Sequence, residues 1–107
     1  MERENKEKEI KNIAEQIAKE YKPGKIILFG SYACGEPTKD SDIDLFIVKD
    51  SDKSSLEMNR EVSRIVFARG VAMDILVYTP KQLEKRQRMG DPFLMNILNF
   101  GQILYAK

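Results

Sequence analysis

Apolar residues recur at two different spacings along the chain, and the alternation of the two predicts the order of the secondary structure. Residues 2–20 carry apolar side chains at helical spacing, whereas 25–29, 42–48 and 71–78 are short apolar runs of the kind that form buried strands. The predicted order is helix, strand, short helix, strand, helix, strand, helix, helix. The first helix should bury one face, made of Ile10, Ile13, Ala14, Ile17, Ala18 and Tyr21.

Local signals predict where the later helices begin. Ser54 followed three residues later by Glu57, and Thr79 followed by Gln82, both have the pattern of a capping box. The second box is followed at once by a proline, which is favoured at the first helical position. Asp91 is the expected cap of the last helix.

The alternation of helices and strands predicts an α/β fold, with a small three-stranded or slightly larger mixed sheet and covering helices. The connection between the second and third strands is long enough for a parallel crossover. The eleven residues at 31–41 leave the direction of the first pairing open. We expect residues 1–107 to form a single domain, with the charged residues 1–9 as candidates for fraying.

The composition limits the kinds of catalytic and metal-binding site that the chain can form. The chain contains no histidine and one cysteine, which excludes catalysis by a histidine base and a disulfide within the chain, and fits a cytoplasmic location. Any metal site depends on oxygen ligands, which favour magnesium or manganese over zinc. The net charge of +1 gives no reason to expect direct nucleic-acid binding. No apolar run approaches the roughly 18 residues of a membrane span.

Three aspartates interrupt the predicted strands. Asp42 and Asp44 are two residues apart, so their side chains point to the same side of one strand, and Asp74 lies within the next strand. Aspartate is disfavoured in strands. Three carboxylates about 4 Å apart would repel by roughly 4 kcal/mol per pair at an effective dielectric constant near 20, so protons or cations must compensate. If the two strands are neighbours, the carboxylates converge on a site for two divalent cations.

Gly30 and Ser31 directly follow the first strand. A glycine there lets the backbone approach a ligand closely, and a serine at a helix start offers a hydroxyl and N–H groups to a phosphate. Taken alone, the two residues are more simply an ordinary helix cap, and Asp42 after Ser41 is explained as well by a turn. Asp74, in a separate apolar strand, shifts the balance towards a site.

These segments match a known pattern. Residues 30–35 and 41–45 read GSYACG and SDIDL. With the later strand aspartate, they resemble the GSxAxG and SDxDL signature of the polymerase-beta-like nucleotidyltransferases. The chain is also similar in length and pattern to the minimal nucleotidyltransferases, or MNT domains. The resemblance covers residues 25 to about 105 and implies the polymerase-beta-like nucleotidyltransferase fold.

The resemblance also implies a reaction. Asp42, Asp44 and Asp74 would hold magnesium, with two ions expected, and Asp74 would help to activate the acceptor hydroxyl. Gly30 and Ser31 would hold the triphosphate. The reaction would transfer a nucleoside monophosphate, AMP from ATP, and release pyrophosphate. Many minimal members of the family are antitoxins paired with a helical HEPN protein, and some adenylylate a tyrosine on that toxin, so a HEPN-like partner is expected.

One position departs from the family pattern. Cys34 stands where the family commonly has an arginine, which would add a fixed positive charge near the phosphates. Lys25 and Lys39 are candidates to replace that charge. Cys34 itself is interpreted as a small buried filler rather than a reactive thiol.

Two further segments bear on partners. A basic helix face is more simply a solvated surface than a docking site for an acidic partner. The apolar run at 93–103, in which Gly101 should end the last helix, is predicted to be core rather than interface, although part of it could be exposed to a partner. The basic face consists of Lys81, Lys85, Arg86 and Arg88.

Two other functions stay open. An antitoxin that acts by binding alone is favoured by the departure at Cys34 and disfavoured by the intact aspartates. A nucleotidyltransferase for small molecules would need a pocket for its acceptor. The chain has no residues to spare for such a pocket unless it forms a homo-oligomer.

Overall fold

The computed structural model describes residues 2–35 and 42–107, and the side chains of residues 2–5 and of Cys34 are not described. Ser41 and Lys39 therefore lie outside the described residues. A 3-10 turn at Phe67–Arg69 follows the third helix. The helices are α1 (Glu2–Tyr21), α2 (Ser31–Cys34), α3 (Ser55–Val66), α4 (Pro80–Arg88) and α5 (Pro92–Phe100), and the strands are β1 (Lys25–Phe29), β2 (Ile43–Val48), β3 (Met73–Tyr78) and β4 (Gln102–Ala106).

The helix starts follow the capping signals. The Ser54 hydroxyl accepts a hydrogen bond of 3.2 Å from the Glu57 N–H at the start of α3. At the start of α4, the Thr79 hydroxyl accepts from the Gln82 N–H at 3.2 Å and the Gln82 amide oxygen accepts from the Thr79 N–H at 2.9 Å. These bonds satisfy N–H groups that have no partner within the helix. Both predicted helix starts are confirmed.

The four strands form one mixed sheet in the order β3-β2-β1-β4. β2 and β3 are parallel, joined by the crossover through α3, as predicted. β1 pairs antiparallel with β2, which settles the direction that the sequence left open. β4, which the sequence did not predict, pairs antiparallel with β1 at the sheet edge. The predicted α/β fold with a small mixed sheet is confirmed.

Helices cover both faces of the sheet. α1 and α3 pack on one face, where Ile43, Leu45 and Ile47 of β2 are fully buried. α5 packs on the other face through Leu94 and Ile97, together with part of α4. Alternation along a strand assigns successive residues to opposite faces. The second residue of β2, Asp44, therefore points to the α5 side.

The apolar run at 93–103 is core only in part. Leu94 and Ile97 are buried, but Phe93, Phe100 and Ile103 are more than half exposed. The prediction of a core position is therefore wrong for these three side chains. Only one face of α5 meets the sheet, which leaves Phe93 and Phe100 exposed, and Ile103 lies on the edge strand β4. Gly101 ends α5, as predicted.

None of the helices in the described residues is long and apolar enough to cross a membrane.

Candidate active site

Asp44 and Asp74 lie side by side in the sheet. They are directly paired residues of the parallel strands β2 and β3. Their strand neighbours point into the core under α1 and α3, so both carboxylates point to the opposite face. Asp44 is half-buried and Asp74 is exposed. The two aspartates that the sequence singled out on separate strands are thus neighbours on one face, at the end where β2 and β3 begin.

The electrostatics of Asp44 reflect this arrangement. Burial raises the pKa of the Asp44 carboxyl above its ordinary value of 3.8, and the negative charge of Asp74, a hydrogen bond to Asp74 and the charge of Asp42 raise it further. Burial disfavours the charged form of Asp44 itself, and the neighbouring carboxylates disfavour a further negative charge in the same place. A divalent cation between the carboxylates would reverse this preference, since it favours the ionised form of every oxygen ligand.

Asp42 stands at the rim of this pair. It immediately precedes β2, is exposed, and acts on Asp44 through its charge. In the part of the chain that the structure describes, no group of three or more acidic or cysteine side chains is arranged as a metal-binding cluster. The arrangement is therefore a carboxylate pair with a third carboxylate nearby. Its donors are all oxygen, which is the set that magnesium takes in proteins.

Gly30 is in contact with the Asp44 carboxylate. Its backbone has φ 76° and ψ −155°, a region that is essentially restricted to glycine. A Cβ atom at this position would lie 3.1 Å from Cγ of Asp44 and closer still to its Oδ2. The sequence requires glycine here for two reasons: the backbone conformation and the space that the carboxylate occupies.

Ser31 begins α2, directly after Gly30. Gly35, also at a positive φ, caps the other end of this single turn by donating its N–H to the Ser31 carbonyl. Ser31 therefore directly follows the residue that contacts Asp44. A phosphate-binding role requires Ser31 to lie near the carboxylates in this way. That role stays a prediction. The interpretation of Cys34 as a buried filler falls on a side chain that is not described.

Two lysines were predicted to replace the missing arginine charge, and one of them, Lys39, lies outside the described residues. Lys25 lies at the opposite end of β1 from Gly30 and pairs with Val48, so it is four strand residues, or about 13 Å, from the carboxylate end of the sheet. The prediction that Lys25 replaces this charge is wrong. Lys25 is the first residue of β1 and Gly30 directly follows the last one, so the whole length of the strand separates them.

The basic helix face lies on α4, and all four of its cations are exposed. Arg88 pairs with Glu84 one turn earlier, and Arg86 lies 3.6 Å from Asp91 at the start of α5. The Arg88–Glu84 pair is exposed at both partners, and pairs of this kind contribute about 0–1 kcal/mol. The interpretation as a solvated face is consistent with these contacts, and the face also remains accessible to a partner.

Sequence reasoning did not single out two aromatic residues beside the carboxylates. Phe29, the last residue of β1, is paired with Asp44 across the strands and shares its sheet face. Phe93 of α5 packs on Phe29 edge-to-face, with ring centroids 5.7 Å apart and an interplanar angle of 89°. Strand alternation would have assigned Phe29 to the face of Asp44 had the β1–β2 direction been known. Nothing local to residue 93 indicated its contact.

A groove of about 790 Å³ lies elsewhere, between α1 and the edge strand β4. Its lining includes Ile10, Leu28 and Tyr105, and it contains none of the three aspartates. Of the three carboxylates, Asp42 and Asp74 are exposed and Asp44 is half-buried.

Comparisons with known proteins agree with this geometry. A family model described as a nucleotidyltransferase domain matches residues 8–99. A protein of Methanocaldococcus jannaschii, provisionally named a protein adenylyltransferase, is 34% identical over 104 residues, which cover 94% of this chain and 99% of that protein.

A solved structure described as a toxin-antitoxin with AMP-PNP has a similar fold. Its TM-score is 0.64, and the match covers 91% of this chain and 73% of that chain at 21% sequence identity. At this identity the likeness concerns the fold alone. The order of strands and helices is that of the polymerase-beta-like nucleotidyltransferases, as the sequence pattern implied.

Proposed function

Since the chain belongs to the nucleotidyltransferase domain family, we propose that it transfers AMP from ATP to a hydroxyl group on a partner protein, a HEPN-like toxin, and so acts as its antitoxin. The observation that carries the proposal is the pairing of Asp44 with Asp74 directly beside Gly30. The provisional name of the Methanocaldococcus jannaschii relative supports a protein acceptor. The description of the solved neighbour supports a toxin as partner and an adenine nucleotide as substrate.

Asp42, Asp44 and Asp74 are the residues that would hold magnesium, with two ions expected. The fit rests on the raised pKa of Asp44, which marks a place where negative charge is in excess, and on the all-oxygen donors. Bound there, magnesium would polarise the phosphoryl oxygens and offset the charge that develops on the leaving pyrophosphate.

The chain's own residues have separate tasks in the transfer. The acceptor oxygen forms a bond to the α-phosphorus as the bond to pyrophosphate breaks, and the hydroxyl must lose its proton. Asp74 is exposed, so an incoming hydroxyl can reach it, and by the family resemblance we assign it the role of accepting or orienting that proton. Asp44 is half-buried and lies against Gly30, so its carboxylate is held in a fixed position in the site.

Gly30 and Ser31 would hold the triphosphate. Gly30 lets the backbone pass close to the ligand, and Ser31 would donate its hydroxyl to a phosphate oxygen. Ser31→Ala is expected to weaken ATP binding by about 1–3 kcal/mol, the range for losing a hydrogen bond to a charged group. Isothermal titration calorimetry with magnesium and ATP measures this directly. Unchanged affinity, with the variant folded as the wild type, would remove Ser31 from the site.

The acceptor should come from outside this chain. The described residues are used by the sheet and its covering helices, and Asp42 and Asp74 are exposed. We therefore place the acceptor, by resemblance a tyrosyl hydroxyl, on the surface of the HEPN-like protein, which would complete the site. ATP and magnesium are plentiful in the cytoplasm, where we propose that the pair acts.

A partner-dependent reaction has a clear kinetic consequence. The purified chain is expected to release pyrophosphate from ATP poorly on its own and much faster when the HEPN-like protein is added, because only the partner brings an acceptor in line with the bond that breaks. A coupled pyrophosphate assay with and without the partner makes the comparison. Equal rates would point to water or a small molecule as acceptor, and no release under either condition would favour an antitoxin that acts by binding alone.

A further inference from the structure

The exposed ring of Phe93 differs from the other exposed phenylalanines. Phe93 is 55% exposed, yet its ring is paired edge-to-face with Phe29. In the residues that the structure describes, Phe67 and Phe100 are more exposed still, and neither has an aromatic partner of this kind. Single exposed apolar side chains are common and need no explanation. Phe93 differs from such side chains because Phe29 holds its ring in place while much of the ring surface stays exposed.

The backbone beneath Phe93 is fixed as well. The Asp91 carboxylate accepts hydrogen bonds from the N–H of Phe93 at 3.0 Å and from the N–H of Leu94 at 3.4 Å, which caps α5. Leu94, the next residue, is 1% exposed and anchors the same turn in the core. Arg86 lies 3.6 Å from the other oxygen of Asp91. The ring is therefore pre-organised, which lowers the entropy lost when a ligand stacks on it.

The aromatic pair borders the carboxylate site. Phe29 is paired with Asp44 and shares its sheet face. Phe29 also immediately precedes Gly30 and Ser31, the residues assigned to the triphosphate. A nucleotide with its phosphates at Gly30 and Ser31 would have its base one ribose away from these residues. The Phe29–Phe93 pair presents aromatic surface on the same sheet face as Asp44, and Phe29 directly precedes Gly30.

We propose that Phe93, supported by Phe29, is the stacking platform for the base of the bound nucleotide. This inference rests on the proposed nucleotidyltransferase function and deepens it, because it assigns the base a binding surface. Stacking on an aromatic ring depends on the π-face, which every base has, rather than on hydrogen bonds. The platform would thus favour a nucleotide over a bare triphosphate without choosing strongly among the bases.

The test compares ATP with inorganic tripolyphosphate, which has the phosphates and no base. In calorimetric titrations with magnesium, Phe93→Ala is expected to weaken ATP binding about 5- to 150-fold. It should leave the affinity for tripolyphosphate unchanged. Phe100→Ala is the matched control, since it removes a similarly exposed ring from the same helix, and it should alter neither affinity.

A fluorescence measurement provides a second readout. The chain contains no tryptophan, so Phe93→Trp introduces a single indole at the proposed platform. ATP with magnesium is expected to quench its emission, and tripolyphosphate with magnesium is not. The Phe100→Trp variant should respond to neither ligand.

Several results would overturn the platform. If the wild type binds ATP and Phe93→Ala binds it equally well, the base lies elsewhere while the proposed function stands. If Phe93→Ala keeps its ATP affinity but the partner protein is labelled less, the ring contacts the acceptor protein and not the base. If the wild type binds neither ATP nor tripolyphosphate, the platform and the proposed function fall together.

Discussion

Asp44→Asn is expected to reduce nucleotide transfer to the partner by about a thousandfold or more while leaving the complex with the partner intact. The loss follows from removing the half-buried carboxylate at the centre of the site, since metal-assisted charge stabilisation contributes several kcal/mol to such reactions and each 1.36 kcal/mol is a factor of ten. The complex should persist because the exposed basic face on α4, a candidate docking surface, is unchanged by the substitution. Single-turnover labelling and a pull-down measure the two effects.

The same substitution should stabilise the metal-free protein. The pKa of Asp44 is raised above 3.8 in the folded chain, so the folded state binds this proton more tightly than the unfolded state does. The stability that the protonated carboxyl contributes is present at low pH and is lost as the pH rises from about 3.8 through the raised pKa. Asparagine carries no charge at any of these pH values and avoids that loss.

Thermal unfolding in EDTA between pH 4 and pH 8 compares the stability of the wild type with that of Asp44→Asn. The melting temperature of the wild type should fall relative to Asp44→Asn as the pH rises. Added magnesium should raise the melting temperature of the wild type and have much less effect on the variant. Asp52→Asn, which removes an exposed carboxylate beyond the other end of β2, is the control and should behave as the wild type. A wild type that magnesium does not stabilise would count against the metal site.

Gly30→Ala is expected to damage both folding and catalysis. The backbone at Gly30, with φ 76° and ψ −155°, would cost a residue with a Cβ atom about 1–3 kcal/mol. The added Cβ would also collide with the Asp44 carboxylate, so the carboxylate must move. A displacement of roughly 1 Å at a catalytic group can cost about a hundredfold in rate. Denaturant unfolding and the labelling assay measure these losses separately.

Gly70→Ala is the matched control for Gly30→Ala. Gly70 also has a positive φ, 64°, but no atom lies within 4 Å of the Cβ that alanine would add. Its substitution should lower stability by about 1–2 kcal/mol and leave the rate of the folded enzyme unchanged. If both variants lose stability but keep full activity, the contact between Gly30 and Asp44 has no catalytic importance.

The sequence predicted those parts of the fold that depend on local patterns. β1 was placed by its apolar run and the starts of α3 and α4 by their caps, because these signals lie within a few residues of the element. β4 was missed for the opposite reason. Gln102–Ala106 is short, follows a helix at once, and becomes a strand only through pairing with β1, some 75 residues earlier in the chain.

The same contrast between local patterns and long-range pairing explains which parts of the candidate site were predicted. The neighbourhood of Asp44 and Asp74 was predicted because a parallel crossover of β2 and β3 brings residues on separate apolar strands together. The omission of Phe29 came from the undetermined direction of the β1–β2 pair, whereas Lys25 is separated from Gly30 by the whole of β1. Once that pairing is antiparallel, Phe29 is next to Asp44. Phe93 required knowledge of how α5 packs on the sheet.

The position of the label on the acceptor tests the central claim most directly. The wild-type chain, magnesium and the HEPN-like protein are incubated with ATP that carries radioactive phosphorus in either the α- or the γ-phosphate. Transfer of AMP predicts that the partner acquires the α-label, on a hydroxyl side chain, and that the γ-label leaves in pyrophosphate. The γ-label on the partner, or a stable complex that acquires neither label, would contradict the account.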